Sequence, residues 1–228
     1  MNPIVELINV SKIFRSGEEE VHALRNITLR IEKGEFTAIA GPSGSGKTTL
    51  LNVISGIERA DAGKVIFDGQ PLEGLNENAL SALRLHRIGF VFQAYNLIPT
   101  LTARENAEFI LFLRGMTEKE RSQKVEEIFR ELGIENLLDR FPHQMSGGQQ
   151  QRVAIARAIA GEPDIVLADE PTANLDSKNS MAIIQLMKRL NSKKGITFLF
   201  STHDPLIMEN ASRIIHLRDG KIVGEERK

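Results

Sequence analysis

The sequence predicts an α/β protein with a mostly parallel core sheet, an antiparallel β lobe and an α-helical lobe. Three observations carry that expectation. Phe36–Ala40 is an apolar run that passes through the glycine-rich stretch Gly41–Thr49 into Leu50–Ile54, in the order strand, loop, helix. Ile165–Ala168 is an uninterrupted apolar run and Ile196–Phe200 one broken only by Thr197, as strands buried on both faces of a parallel sheet are. Residues 102–160 read as helical, with two capping-box starts among them.

Taken in order, residues 4–10 and 23–31 are expected strands, the second partly alternating apolar and polar as a half-exposed strand does. Ser16-Gly17-Glu18-Glu19-Glu20 between them is an acidic, turn-like loop. Ala62–Phe67 is a short strand closed by the Asp68-Gly69 turn, so the β lobe flanks the glycine-rich loop on both sides in sequence. Residues 76–87 are polar and helical, and they lead into Ile88–Gln93, an apolar strand ending on an amide. Thr102…Glu105 and Thr117…Glu120 have the capping-box form. The second of these helices carries Val125, Ile128, Phe129 and Leu132 at i, i+3, i+4, i+7 and buries that face. Phe109–Leu113 on the first is too apolar for a simple surface helix; it either packs within the lobe or lines a groove for a partner. Ser146 and Gly161 suit the two ends of the next helix. A helix over about 178–192 turns Ile183, Ile184, Met187 and Leu190 inward, and Arg213–Leu217, Asp219-Gly220 and Lys221–Val223 form a closing hairpin.

Gly41-Pro42-Ser43-Gly44-Ser45-Gly46-Lys47-Thr48-Thr49 fits the P-loop pattern G-x-x-x-x-G-K-[ST]. Its four fixed positions should match by accident in roughly one chain in a hundred of this length. The glycines let several N–H groups face one anion, and the following helix adds its positive end. Lys47 then reaches the β- and γ-phosphates of a nucleoside triphosphate, and the Thr48 hydroxyl ligates Mg²⁺.

Other stretches carry chemistry with a plainer reading beside it. Phe14 is either a ring free to stack on a base or a core residue beside a strand. Gln93 is a turn residue, or an amide for Mg²⁺ or an attacking water. Ser146-Gly147-Gly148-Gln149 is a capped helix with a flexible entry, or a second anion site distinct from the loop at Gly41. Asp169 and Glu170 end a buried strand, where ligands of parallel sheets bind. Side chains alternate along a strand, so one acid can serve a cation and the other a water. His203 ends another buried strand, as a hydrogen-bonded structural residue or as a phosphate contact.

In this order P-loop, Gln93, Ser146–Gln149, Asp169-Glu170, Asp176 and His203 resemble the ATP-binding-cassette (ABC) ATPases, from about Ile4 to the closing hairpin. Ser146-Gly147-Gly148-Gln149 is the discriminating element, since other P-loop families lack it. The resemblance implies the P-loop ABC-ATPase fold in one domain over 1–228, with the helical lobe at about 94–160. It implies that Phe14 stacks on adenine and residues 41–49 hold the phosphates of ATP. Thr48 and Gln93 would ligate Mg²⁺ with Asp169 in support, Glu170 would polarise the attacking water, and His203 would contact the γ-phosphate. Ser146 and Gly148 would touch the nucleotide held by a second copy, and Asp176 would join the two sites of that homodimer. Met145 stands where the family usually has Leu, and Ala173 where Ser or Gly is usual.

More finely, Phe92–Pro99, Leu101–Asn106 and Thr172–Asp176 are similar to the lipoprotein-releasing and macrolide-export ATPase subunits. That similarity implies a separate integral-membrane permease as partner, and a place on the cytoplasmic face of the cell membrane. Composition agrees: 228 residues with a net charge of −1 and no polybasic block give no reason to expect nucleic acid. There is no cysteine, which fits a reducing compartment. The segment Met1–Glu6 shows no secretory pattern, and no run approaches the roughly 18 apolar residues of a membrane span. The alternative is a non-transport ABC ATPase, in DNA maintenance or repair or in cell division. The DNA-acting kind needs a long coiled-coil insertion or zinc-binding cysteines, translation factors carry two cassettes, and a nucleotide kinase has no use for Ser146–Gln149.

Overall fold

The computed structural model describes residues 3–17 and 19–228; Met1, Asn2 and Glu18 of the acidic loop lie outside the described residues. Two sheets form. The first is antiparallel: β1 (Val5–Ser16) pairs with β2 (Glu19–Ile31) and with β4 (Ala62–Phe67), and β5 (Gln70–Pro71) closes the order β2-β1-β4-β5. The second runs β10 (Lys221–Arg227), β9 (Arg213–Arg218), β3 (Phe36–Ala40), β8 (Thr197–Thr202), β7 (Ile165–Asp169), β6 (Ile88–Val91), parallel except for β10.

The apolar runs in β3, β7 and β8 follow from burial on both faces. Phe198 and Phe200 pack on one side with Phe36, Val166, Ile183 and Met187. Leu199, Ile39 and Leu167 face the other side, with Leu29, Ile31 and Leu50. Each strand thus divides its alternate residues between two cores. Helix α1 (Lys47–Ile54) lies in the second core, α2 (Glu77–Arg87) leads into β6, and α6 (Ser177–Lys194) covers the first face.

The helical lobe comprises α3 (Ala103–Leu113), α4 (Glu118–Leu132) and α5 (Gly147–Ala160). Both expected capping boxes form, at Thr102/Glu105 and Thr117/Glu120, and Val125, Ile128, Phe129 and Leu132 are buried. The lobe is not helical throughout. Between Gly133 and Ser146 the chain makes only two short 3-10 turns, Glu135–Leu137 and Pro142–Gln144. Of the apolar run on α3 only Leu111 is fully buried; Phe109, Phe112 and Leu113 are exposed.

Other expectations are corrected. The first hairpin runs to Ser16 and Glu19, past the strand ends read from 4–10 and 23–31, because an exposed two-stranded ribbon needs no apolar pattern. Asn9 and Asn26 stand at φ +52°, where β1 changes register against its partner. Strand β6 stops at Val91, so Gln93 sits in the following turn rather than at the strand end. Gly161 does end α5, but at φ −78° and not in the left-handed form. A short helix α7 (Pro205–Asn210) and the strand β5 carry too few residues for a period to show. The two Asp-Gly turns form with both residues at positive φ: Asp68 at +47° and Gly69 at +81°, Asp219 at +49° and Gly220 at +75°.

Asn106, fully buried on α3, fastens the loop between β6 and α3. Its Oδ1 accepts from Ile98 N at 2.7 Å, and its Nδ2 donates to the carbonyls of Ile98, Leu101 and Thr102 at 3.1, 3.0 and 2.9 Å. Asn106→Leu, similar in size, should strand these groups and lower stability by about 2–4 kcal/mol, read as a fall in the denaturant midpoint at unchanged m-value.

Candidate active site

The carboxyl ends of β3, β7 and β8 lie side by side, with Ala40 paired to Thr202 and Asp169 to Ser201. From the first of these ends Gly41–Gly46 curls into α1. A Cβ on Gly41 would stand 2.1 Å from the Leu217 carbonyl oxygen. Gly46, at φ +100°, would press one 2.3 Å from the carbonyl oxygen of Ala23. Only glycine fits either place. Helices α2 to α7 each carry a side-chain N-cap, from Asn76, Thr102, Thr117, Ser146, Asp176 and Asp204 respectively. Helix α1 has none, so its first N–H groups stay open toward the loop.

Lys47 folds back over that loop. Its Nζ donates to the carbonyls of Gly41 and Pro42 at 2.8 and 3.0 Å and lies 3.6 Å from Glu170 Oε1. The exposed Thr48 hydroxyl is 3.1 and 3.0 Å from the two Asp169 oxygens, one of which also accepts from the Ser201 hydroxyl. Glu170, just past β7, takes φ +46° and points elsewhere: its Oε1 lies 2.9 Å from Nδ1 of the exposed His203. The two acids therefore do divide, one toward Thr48 and one toward Lys47 and His203. His203 is no core histidine; its partner is Glu170.

Phe14 is 40% exposed, which rules against the core reading. Its ring lines a hollow of about 540 Å³ together with His22, Arg25, Gly44, Lys47 and Thr48. That size lies within the roughly 300–1,000 Å³ of small-molecule sites. His22 and Arg25 were invisible as site residues in the sequence, because the long hairpin register that brings β2 here is not a local signal. Pro42, Ser43 and Gly44 are exposed, Thr49 is half-buried, and Ser45 is buried with a hydroxyl that has no partner among the described residues.

The remaining expected residues form a second group, none of which lines that hollow. Ser146 and Gln149 close a capping box: Ser146 N donates to Gln149 Oε1 at 2.9 Å, and Gln149 N to Ser146 Oγ at 3.4 Å. A Cβ on Gly147 would meet the Tyr95 hydroxyl at 2.7 Å, and one on Gly148 would meet Asn179 Oδ1 at 3.0 Å. Asp176 caps α6 through Asn179 N at 2.8 Å, and that backbone hydrogen bond holds its carboxyl below the usual range. Gln93 is tied to this group through its main chain, its carbonyl accepting from Asn174 Nδ2 at 2.8 Å, while the Tyr95 hydroxyl reaches Asn174 O at 3.4 Å. Its exposed position one turn past β6 still leaves it on the edge that carries the acids. The role of Tyr95 and Asn174 here had no sequence signal.

The model of the ABC transporter family matches residues 24–173. An uncharacterized ABC transporter ATP-binding protein of Methanocaldococcus jannaschii, MJ1508, is 46% identical over 220 residues, 96% of this chain and 98% of its own. The macrolide export ATP-binding/permease protein MacB of Neisseria gonorrhoeae is 42% identical over 225 residues, 99% of this chain but 35% of its own length. Among solved structures, the dimeric post-hydrolysis state of the ATP-binding cassette MJ0796 bound to ADP and Pi superposes with a TM-score of 0.91 at 45% identity, covering 98% of each chain.

Gly46→Ala tests the loop directly. The added methyl must displace the Ala23 carbonyl or unwind the start of α1, so affinity for a nucleoside triphosphate should fall at least about tenfold in equilibrium titration with a fluorescent analogue. Unchanged affinity would remove the loop from the binding site.

Proposed function

This chain belongs to the ABC transporter family, and we propose that Glu170, Lys47 and His203 are the hydrolytic centre of an ATPase completed by a second copy of the same chain. It is an ATP-binding subunit that hydrolyses ATP to ADP and phosphate. One observation carries the reading: Glu170 Oε1 stands 2.9 Å from His203 and 3.6 Å from the P-loop lysine, while Ser146 and Gln149 bond to each other and to none of these three.

In the proposed site Phe14 stacks on the base and Gly41–Thr49 hold the phosphates, with Lys47 moving its ammonium from the Gly41 and Pro42 carbonyls onto the β- and γ-oxygens. Glu170 orients a water and accepts its proton, and His203 holds the carboxylate on one side and meets the γ-phosphate on the other. Thr48, Asp169 and Gln93 offer hard oxygen donors that suit Mg²⁺, which when bound neutralises charge on the phosphates. Among the described residues no group of three or more His, Asp or Glu is placed to hold a metal ion by itself, so such a cation would depend on the phosphates as well.

Ser146 and Gly148, at the open end of α5, would face the partner copy's γ-phosphate, with Asp176 beside the junction. Hydrolysis then depends on closure, and ATP held by both faces favours the closed dimer. The dimeric MJ0796 cassette with ADP and Pi supports this arrangement.

The work is done on a membrane permease of the macrolide-export or lipoprotein-release kind, a reading that the MacB likeness supports. No described helix is long and apolar enough to cross a membrane, so a permease would hold this subunit at the cytoplasmic face. An apolar groove of about 440 Å³, walled by Phe90, Phe92, Ile98, Phe109, Ile110 and Leu113, is the place offered to it. The groove includes Phe92, beside Gln93, so a segment seated there would press on the loop that carries the amide.

Three outcomes are expected. Glu170→Gln should bind ATP, lose at least about a hundredfold in turnover, and accumulate an ATP-dependent dimer in light scattering; parental turnover would remove Glu170 from its role. Ser146→Arg should abolish turnover with monomer ATP affinity within about twofold of the parent; lost affinity would argue against a site in trans. Leu113→Glu should leave basal turnover intact while ending co-purification with membranes that contain the permease, and retained co-purification would move the docking site elsewhere.

A further inference from the structure

Gln151 is a buried amide on α5, flanked by the half-buried Gln150 and Arg152 and followed by Val153, Ala154, Ile155 and Ala156, all buried. The residue itself is fully buried. Its Nε2 donates to the carbonyl of Pro171 at 2.7 Å, and its Oε1 has no partner among the described residues. A half-satisfied buried amide is costly, and an apolar side chain of the same length would pack there without that cost. What the amide holds is the peptide next to Glu170.

That peptide needs holding. Glu170 sits at φ +46°, a region that an L-residue with a long side chain enters only when its surroundings enforce it. Three hydrogen bonds to its backbone pin the turn: Glu170 N to Ser201 O at 3.0 Å, Ala173 N to Glu170 O at 3.1 Å, and the Gln151 side-chain bond to Pro171 O. The first two are main-chain bonds that any sequence in this turn can make. The third is the only one of them supplied by a side chain, and it comes from the helix that begins at Ser146.

We propose that Gln151 is a positioning residue for the hydrolytic step: its amide holds the Pro171 carbonyl so that Glu170 stays in the left-handed turn that aims its carboxylate at Lys47 and His203. This rests on the reading of Glu170 given above. The tether also joins the chain's own Glu170 to the helix whose N-terminus is offered to the partner's nucleotide.

Two variants test it. Gln151→Met keeps the length and removes the donor, and Gln151→Asn keeps the donor but draws it back by one methylene. In both, kcat should fall at least about tenfold while KM for ATP and equilibrium ATP affinity stay within about twofold, a split that a general loss of packing would not produce. Combined with Glu170→Gln, Gln151→Met should cause no further loss in single-turnover release of radiolabelled phosphate, because the group it positions is already gone. A kcat within twofold of the parent in either folded variant overturns the proposal, as does an equal extra loss in the Glu170→Gln background. If neither variant folds, Gln151 is a determinant of the fold and the proposal falls. Parental turnover in Glu170→Gln alone is a different failure, that of the reading of Glu170.

Discussion

The parallel pairing of β6, β7, β8 and β3 is the constraint on which the rest of the molecule depends. Its register sets Val91 beside Ala168, Asp169 beside Ser201 and Ala40 beside Thr202, so four strands finish along one edge. The P-loop, the two acids, His203 and the loop with Gln93 all leave from that edge. Alternate residues in these strands are committed to opposite cores, Phe198 and Phe200 to one and Leu199 to the other. A slip by one residue would exchange them, so the register is held by apolar burial far from any charge. The polar residues inherit their positions from it.

Much of this was readable in the sequence where the signal is local. The P-loop, both capping boxes, the two Asp-Gly turns and the buried face of α4 each depend on residues a few positions apart, and each formed as expected. What depends on distant pairing was not. The hairpin's extension to Ser16 and Glu19 decides that Phe14 looks into the hollow, and it is set by cross-strand partners rather than by either strand alone. The end of β6 at Val91 is set by β7, whose pairing covers Ile88 to Val91 only. For the candidate site, the residue types were legible from spacing. Their division into two groups was already implied by the family resemblance; the packing of the second group against Tyr95, Asn174 and Asn179 required the fold.

Departures from ordinary local rules gather at the same edge. Helix α1 lacks the cap that its six fellows carry, Glu170 takes a backbone conformation foreign to it, and Ser45 and Gln151 each keep a buried polar atom without a partner. Others lie away from it: Glu162 stands at φ +50°, and Glu32, Glu108 and Arg121 also keep a buried polar atom without a partner among the described residues. Stability given up at the strand ends is made good by the two cores on either side of the sheet.

The chain has one tyrosine and no tryptophan, and Tyr95 lies where three working segments meet. Its main-chain carbonyl accepts from Arg157 of α5 at 2.8 Å, its hydroxyl reaches the Asn174 carbonyl, and Gly147 lies against the same hydroxyl. Excited at wavelengths beyond the absorption of its phenylalanines, emission from this molecule therefore has a single origin. A tyrosine fluorescence trace recorded on the unlabelled protein is a reading of one address, the crossing of the Gln93 loop, the entry to α5 and the segment before Asp176, with no second tyrosine and no tryptophan to dilute it.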